Sequence, residues 1–555
     1  MKKIKNILLS ITGALALVMA ASCADFLEEK PLDIKTDKQF WISKTDAESA
    51  VNMIYYGGVP YLYGGRGNGW EPTRLMYNGL LSGLFIDEKG NISFTSTDMK
   101  DLNITVQTVD EYIGEVYREP YVCIGRCNVL IARLPGMVEK GIISETEKNE
   151  YLAQAYFFRA WSYYFLVKEF GCKDGEPQGG GGGGVPLVLE PVESADPSVT
   201  NQPRALIADV YQRIESDLTE AIKYLPNKTF YNNDCRITKP AAQTLLATVY
   251  LQWAGYPLQN TAMYEKAAQT AEAVITGAST SGHGLEASAN TYTGSAFNKI
   301  KTDKTSKEII YAIEYNEPLN RGNGYINACM TTQAIAWQKK DGSNVFLMSV
   351  LENMYHADNA IINSYVTGDV RSMEKNFFFR EYTSQEDSTY QCNQWDNWLW
   401  FEETAMIANK TSSLNFPVFR FSEVYLIAAE ALLKQASPNA AKAKEYLEEV
   451  RKRAFTVNGG QHAGYSVPAT VTIDDILTER LHEFPLEFKV WDDIRRTRLY
   501  PQVNSGVVTW QSITTATTYG KASGKSFRDN QHMLIWPIPQ KAIDRNPALQ
   551  QNPGY

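Results

Sequence analysis

Three stretches of this 555-residue sequence set aromatic rings beside side chains that donate or accept hydrogen bonds. Tyr63, Arg66, Asn68 and Trp70 fall within YLYGGRGNGWEP, 61–72. Arg321, Asn323, Tyr325, Asn327 and Trp337 fall within 321–337, and Asn393, Trp395, Asn397, Trp398 and Trp400 within QCNQWDNWLW, 391–400. These residue types suit a sugar. A pyranose or furanose has a face of C–H groups, which a flat ring buries at small entropic cost. It also has a rim of hydroxyls, which Arg, Asn and Asp read by directional hydrogen bonds. The candidate ligand-binding set is Trp70, Tyr63, Arg66, Asn68, Tyr325, Arg321, Trp337 and Trp395. Trp70, flanked by Gly69 and Glu71, is the foremost of them. Each has a structural alternative. Trp337 follows Ala334, Ile335 and Ala336, and Trp398 and Trp400 flank Leu399, so core packing explains them equally. Arg66, Asn68 and Arg321 equally suit bracing their own loops.

Other chemistries find little support. The five His, at 283, 356, 462, 482 and 532, lie far apart, and there is no H-E-x-x-H, no G-x-S-x-G, no phosphate loop and no EF-hand loop. Six consecutive glycines, 179–184, formally contain G-x-G-x-x-G, but no strand precedes them, so a flexible hinge or loop is expected. Nothing marks two of the 63 acids as a hydrolytic pair. Asp492 and Asp493 read as partners in helix-surface ion pairs. Cys123 and Cys127 lie one helical turn apart with no His near, so buried thiols are expected rather than a metal site, and disulfides stay open. No catalysis, cofactor or metal is expected.

Composition bounds the class. Apolar residues at 44 % and charged residues at 21 % exclude disorder, and aromatics reach 12 %, with 32 Tyr and 11 Trp. A net charge of −9 argues against nucleic acid as a partner. The length suggests several domains, unless the chain is a helical array that grows by stacking units. The N-terminus is an address: Lys2, Lys3 and Lys5, an apolar stretch from Ile7 to Met19, then Ala20, Ala21 and Ser22 before Cys23. This is a secretory signal, 1–22, and Cys23 after small residues resembles a bacterial lipobox, with Ala20 where Leu is usual. Lipidation of Cys23 anchors a chain to a membrane without spanning it.

Residues 23–45 read as a tether. Asp46 is placed to cap a helix from Ala47 to about Tyr56. Helical periodicity predicts long helices over 110–134 and 146–170, and an amphipathic one over 204–225. Two Ala-rich hairpins follow, 239–254 with 262–277 and 421–436 with 438–454. Small residues at close-contact positions with large ones a turn away are tetratricopeptide-like. Between them, 278–420 is polar, aromatic and irregular, too long for a connector and placed to carry function. The organisation expected is therefore 46–277, an insertion at 278–420, and 421–555.

Several blocks carry a family resemblance. Cys23 followed by ADFLEEKP, then AQAYFFRAWSYYFLVKEFG (153–171), RITKPAAQTLLATVYL (236–251), FPVFRFSEVYLIAAEALL (416–433) and LIWPIPQKAIDRNPALQQNPGY (534–555) resemble the SusD/RagB outer-membrane nutrient-binding lipoproteins. ERLHEFPLEFKVWDDIRRT, 479–497, departs from that pattern, with Phe488 where Gly is usual and Val490 where Arg is usual. The resemblance implies an all-α fold of about four tetratricopeptide-like units supporting an irregular ligand-binding part. It implies non-catalytic capture of oligo- or polysaccharide at the cell surface. It also implies a partner, a SusC-like TonB-dependent outer-membrane transporter. Peptide capture by the same architecture, and a tetratricopeptide-type protein scaffold, stay open as alternatives.

Overall fold

The computed structural model describes residues 40–63, 74–86, 103–108, 114–289, 294–316, 322–323, 336–347, 356–384, 388–408, 410–515 and 526–555. The signal segment, Cys23 and most of the tether lie outside the described residues.

Helix α1 is Lys44–Tyr56. Its cap is Ser43 rather than Asp46: the Asp46 amide donates to Ser43 Oγ at 3.3 Å, and the Asp46 carboxylate accepts from the Ser43 amide at 3.0 Å. Asp46 is thus the far member of a reciprocal capping box, which starts the helix three residues earlier than expected. The array then runs α2 (Gly114–Glu139), α3 (Glu145–Phe170), α4 (Ile207–Tyr224), α5 (Lys239–Ala254) and α6 (Met263–Thr276). It resumes with α7 (Phe421–Lys434), α8 (Ala440–Ala454), α9 (Ile473–Glu483) and α10 (Val490–Thr497).

From α2 to α8 each helix packs on the next, and α6 lies directly against α7 although the whole insertion separates them in sequence. Small residues permit this. Ala242, Ala247, Ala268, Ala271, Ala428 and Ala429 are sealed at the contacts, where a larger side chain would hold the helices apart. By length and composition α2 is apolar enough to cross a membrane. Its apolar face, including Cys123, Ile124, Cys127 and Leu130, is instead buried against α1 and α3. Helix α3 is enclosed nearly all round from Ala153 onward, as expected of a helix packed on several sides.

The insertion is less irregular than its composition suggests. Its base is zipped by two antiparallel strands, β1 (Ile309–Ile313) and β4 (Phe416–Arg420), which bring its two ends together beside the array. Within it, β2 (Phe378–Thr383) and β3 (Thr389–Asn397) form an antiparallel pair. A further hairpin, β5 (Leu499–Asn504) with β6 (Val507–Ser512), follows α10.

A buried lattice of charges fixes the insertion to the array. Arg420 at the end of β4 donates to Glu308 at 2.9 Å, to Glu483 at 2.7 Å and to Glu487 at 2.8 Å. Arg453 of α8 pairs with the same Glu308 and Glu483. Arg371 of the insertion reaches Asp369, Glu479 and Glu483. Buried charges persist only when paired and hydrogen-bonded, so each arginine fixes the position of the carboxylates it serves. The three arginines together lower the pKa of Glu483 to about 2 against the opposing effect of its burial.

Two expectations are corrected. Asp493 does not sit in a surface ion pair; it is buried and accepts from Arg480 Nε at 2.8 Å and Arg496 Nη2 at 2.7 Å. Neighbouring Arg496 continues to Glu430 of α7, while Arg495 pairs with Glu169 of α3 and with Asp492. Helix α10 is short and amphipathic, and its charged residues face the array. The glycine run is not a free hinge either. A Cβ on Gly182 or Gly183 would strike the carbonyl oxygens of Ala205 or Cys172. Arg204 also clasps the loop, donating to the carbonyls of Gly183, Gly184 and Phe170 at 2.7–3.1 Å. Glycine is required there because backbone approaches backbone.

The same arginine reaches Asn552 Oδ1 at 2.8 Å, and Asn552 Nδ2 donates to Phe170 and Trp536 carbonyls at 2.9 and 2.7 Å. Gln551 brackets Ile538, accepting from its amide at 2.7 Å and donating to its carbonyl at 2.8 Å. The C-terminal block thus locks α3, the glycine loop and the chain end together. At Phe488 the backbone is left-handed, φ 61°, which accounts for glycine being usual at that position. The ring offsets the strain by stacking on Phe416 at 5.9 Å, nearly parallel, and by being buried.

Candidate functional site

The insertion carries an apolar cluster of its own, separate from the core of the array. It contains Trp337, Phe346, Phe379, Tyr382, Phe401 and Met406, with Tyr390 and Trp398 packed against it. The strand pair β2–β3 builds it. Alternation along FFREYT sends Phe379 inward, and a register irregularity between Phe379 and Glu381 lets Tyr382 enter the same cluster. Some rings stack and others meet edge-on, as Tyr382 does with Phe401 at 62°. Trp337 stacks on Tyr382 at 5.8 Å and 7° and on Tyr390 at 5.2 Å, and Trp398 stacks on Phe401 at 5.2 Å and 22°.

A cavity of about 490 Å³ opens beside this layer, walled by Trp398, Phe401 and Tyr382, with Lys301, Lys375 and Glu403 among its polar groups. The Trp398 indole N–H donates to Asn298 Oδ1 at 2.7 Å, which fixes the ring plane. Lys301 Nζ lies 4.0 Å from the centre of that ring and donates to the Trp398 carbonyl at 2.7 Å. Burial lowers its pKa to about 7, with a smaller upward pull from Glu402. The ammonium lies over the ring and forms no ion pair among the described residues. Tyr382 donates its hydroxyl to Glu403 at 2.5 Å; burial and then that carboxylate push the phenol's pKa well up, so it keeps its proton. The wall therefore offers a half-buried indole, a protonated phenol anchored by Glu403, a weakly solvated amine and nearby hydroxyls. Such a surface buries an apolar face and hydrogen-bonds the rim of a neutral ligand.

The predicted residues are distributed unevenly. Trp337 is in the cluster, 9 % exposed, as a stacking support for Tyr382 and Tyr390. Trp395 is half-buried on β3, with the Arg380 guanidinium 5.8 Å over its ring. Tyr63 closes the short helix Val59–Tyr63 and turns into the array, against Trp161 at 5.7 Å and Phe416 at 5.1 Å. It borders a cleft of about 70 Å³ with room for a few waters, shared with Lys168, Glu423 and Asp492. Trp400 is a core residue, its N–H on the Leu486 carbonyl and its ring stacked on Phe416 at 5.1 Å. Asn323 is buried and braces the loop at 412–414, donating to the Leu414 carbonyl at 2.9 Å. Trp70, Arg66, Asn68, Arg321, Tyr325 and Asn327 lie outside the described residues.

The sequence reading missed Lys301, Lys375, Tyr382, Phe401 and Glu403. A signal existed for Tyr382 alone, because FFREYT is rich in the aromatic residues that favour strands. Lys301 sits on Ala296–Thr302, a short helix far from Trp398 in sequence, and nothing local marks it. Among the described residues no group of His, Cys, Asp or Glu is arranged to hold a metal ion. Cys123, Cys127, Cys172 and Cys235 are free thiols, and all but Cys235 are buried.

Fold and site together define a helical-repeat protein that carries a structured insertion with an aromatic-walled cavity. Comparison with known proteins gives the family. Residues 272–555 match the SusD family, and residues 25–251 match a family described as "Starch-binding associating with outer membrane". The chain belongs to the SusD family. It is 27 % identical to SusD-like protein P2 of Formosa agariphila over the full length of both chains. It is 28 % identical over 141 residues to the starch-binding protein SusD of Bacteroides thetaiotaomicron, covering 25 % of this chain and 22 % of that one. Among solved structures, a SusD superfamily protein from Parabacteroides distasonis superposes with a TM-score of 0.72 at 23 % identity, covering 92 % of this chain and 99 % of that chain. A laminarin-binding SusD-like protein superposes with a TM-score of 0.63 at 18 % identity, covering 92 % and 100 %.

Proposed function

We propose that this protein is a non-catalytic glycan receptor at the outer membrane, tethered through a lipidated Cys23, which captures oligo- or polysaccharide and passes it to a SusC-like TonB-dependent transporter. The observation that carries the reading is the cavity walled by Trp398, Phe401 and Tyr382 in a family whose other members include starch- and laminarin-binding proteins. Its rings are pre-positioned by Asn298, Glu403 and the Trp337 stack, so little conformational freedom is lost when a sugar seats on them. The cavity is open, so much of a polymer would stay wet, and modest affinity per site is expected. Trp70, Arg66, Asn68, Arg321 and Tyr325 are proposed as further contacts from their residue types, and Trp337 as a support of the surface, while Tyr63 and Trp395 pack against the main core.

The test is affinity electrophoresis of residues 24–555, which retain every described element, through gels cast with a panel of polysaccharides. Retardation by at least one glycan, reduced in Trp398→Ala, supports the reading. Equal mobility in every gel would transfer the cavity to peptides or proteins. Cys23→Ala should release the full chain from the membrane fraction, and the wild-type chain should co-purify with a β-barrel transporter.

A further inference from the structure

A second and larger cavity, about 740 Å³, lies where the end of α3, the loop after α5, the end of β6 and the C-terminal segment meet. None of its lining comes from the 278–420 insertion, so it is separate from the aromatic cavity. Its volume falls within the range of small-molecule sites.

Its charges are unevenly satisfied. Lys168 and Arg495 border it, but both are already paired, Lys168 with Asp492 and Arg495 with Glu169 and Asp492. Arg498 is not. It caps α10 in a left-handed conformation, φ 57°, and its side chain enters the cavity. Its Nη1 is buried without a hydrogen-bond partner, and the guanidinium forms no ion pair among the described residues. The Tyr256 ring lies 5.0 Å from the guanidinium carbon. Burial lowers the Arg498 pKa to about 10, helped by Arg495 and opposed by smaller pulls from Tyr256 and Glu176. Glu176 is the single acid in the lining, and it is turned to the Lys173 amide, from which it accepts at 3.3 Å. A guanidinium with one buried N–H group left without a hydrogen bond, and no ion pair, is unfavourable in a folded protein unless a ligand pairs with it.

We propose that this cavity is a second binding site that takes a carboxylate-bearing sugar, a uronate unit, with its carboxylate on the Arg498 guanidinium. A planar guanidinium fork matches a carboxylate through two parallel hydrogen bonds. The body of the ligand is argued from the rest of the wall. The Tyr256 ring is 37 % exposed and offers a flat face, and the paired hydroxyls of Ser512 and Thr514, 2.8 Å apart, offer a hydroxyl-matching rim. A bare inorganic anion would leave most of that space empty. The inference does not depend on the aromatic cavity binding anything.

The experiment is calorimetric titration of residues 24–555 with trigalacturonate, and in parallel with the neutral maltotriose. Trigalacturonate should bind, more weakly as salt rises, and Arg498→Gln should weaken it at least tenfold. Arg498→Lys should recover only part of the loss, because an ammonium lacks the fork. Tyr256→Ala keeps the charge and should weaken binding a few-fold, which covers the case in which Arg498→Gln does not fold. Retardation of the Arg498 variants in neutral-glycan gels should be unchanged, which separates this site from the aromatic one. Trigalacturonate binding that is absent at millimolar concentration, or equal in wild type and Arg498→Gln, would overturn the assignment.

Discussion

Aromatic residues meet two different surroundings in this molecule. At the seam between array and insertion, Phe416 stacks nearly parallel on Trp400 and Phe488, and Trp161, Tyr311 and Phe157 meet steeply, with interplanar angles of 51–80°. All three are buried, and the charges around the seam are neutralised by the Arg420, Arg453 and Arg371 lattice. In the insertion Trp337 stacks on Tyr382 and Trp398 on Phe401, while Tyr382 and Phe401 meet edge-on at 62°, and Lys301 sits over Trp398 with no ion pair among the described residues. The seam rings are enclosed by other side chains, whereas Trp398 and Phe401 border a cavity and leave part of a flat face open. The comparison teaches that aromatic content alone does not mark a binding surface. Ring orientation does not separate the two regions, since both hold stacked and steep pairs; the cavity beside the rings and the amine of Lys301 over Trp398, with no ion pair among the described residues, do.

The sharpest way to break this contrast is to remove a charge from the seam. Arg420→Ala leaves Glu308, Glu483 and Glu487 short of their shared cation in a dry environment. Loss of about 3–5 kcal/mol is expected, read from urea denaturation. A loss below about 1 kcal/mol would mean that the lattice does not hold the insertion on the array, and the two regions would not differ in the way argued above.

Lys301 gives the matching test on the insertion side. Its folded pKa, about 7, lies below the ordinary lysine value of about 10.4. Between those values the unfolded chain binds the proton and the folded chain does not, so stability must rise with pH there, by up to about 1.4 kcal/mol per pH unit. Below about pH 7 the ammonium is charged in both states and its burial cost is present in full. Lys301→Met should flatten the rise and be the more stable protein at pH 6.5. Urea midpoints at pH 6.5, 7.5 and 8.5 for both proteins check it. An unchanged slope in the variant would place the charge of Lys301 in water rather than against Trp398.

How much of this was legible in the sequence follows from the range of each interaction. The helix pairs α5–α6 and α7–α8 were readable within a residue or two because Ala and large apolar residues recur at helical spacing. Strand β1 was not readable: Ile309 to Ala312 are buried on both faces, and such a run has no alternation to show. Asp46 was readable as a cap residue but not as the far member of the box, since both roles use the same residue type. The charges of VWDDIRR carried the spacing of surface pairs. Their burial depends on Glu430, Glu169 and Arg480 arriving from three other helices. The candidate site was legible only as a composition, Trp and Asn in 391–400. Which ring borders the cavity depends on Asn298 and Lys301, about a hundred residues away.

The smallest expected effects compare two tryptophans three residues apart. Trp398 borders the cavity, with its plane fixed by Asn298 and with Lys301 above it. Trp395 is half-buried on β3, which ends just before Trp398, and packs against the main core, with Arg380 over its ring. Trp398→Ala should weaken glycan retention about tenfold, equivalent to about 1.4 kcal/mol, with the thermal midpoint lowered by only a few degrees. Trp395→Ala should change retention by no more than about threefold, or about 0.7 kcal/mol, since the ring it removes is already covered. If the two losses prove equal, a place beside the cavity does not choose the contact, and the binding face extends from the cavity along β3 to include both.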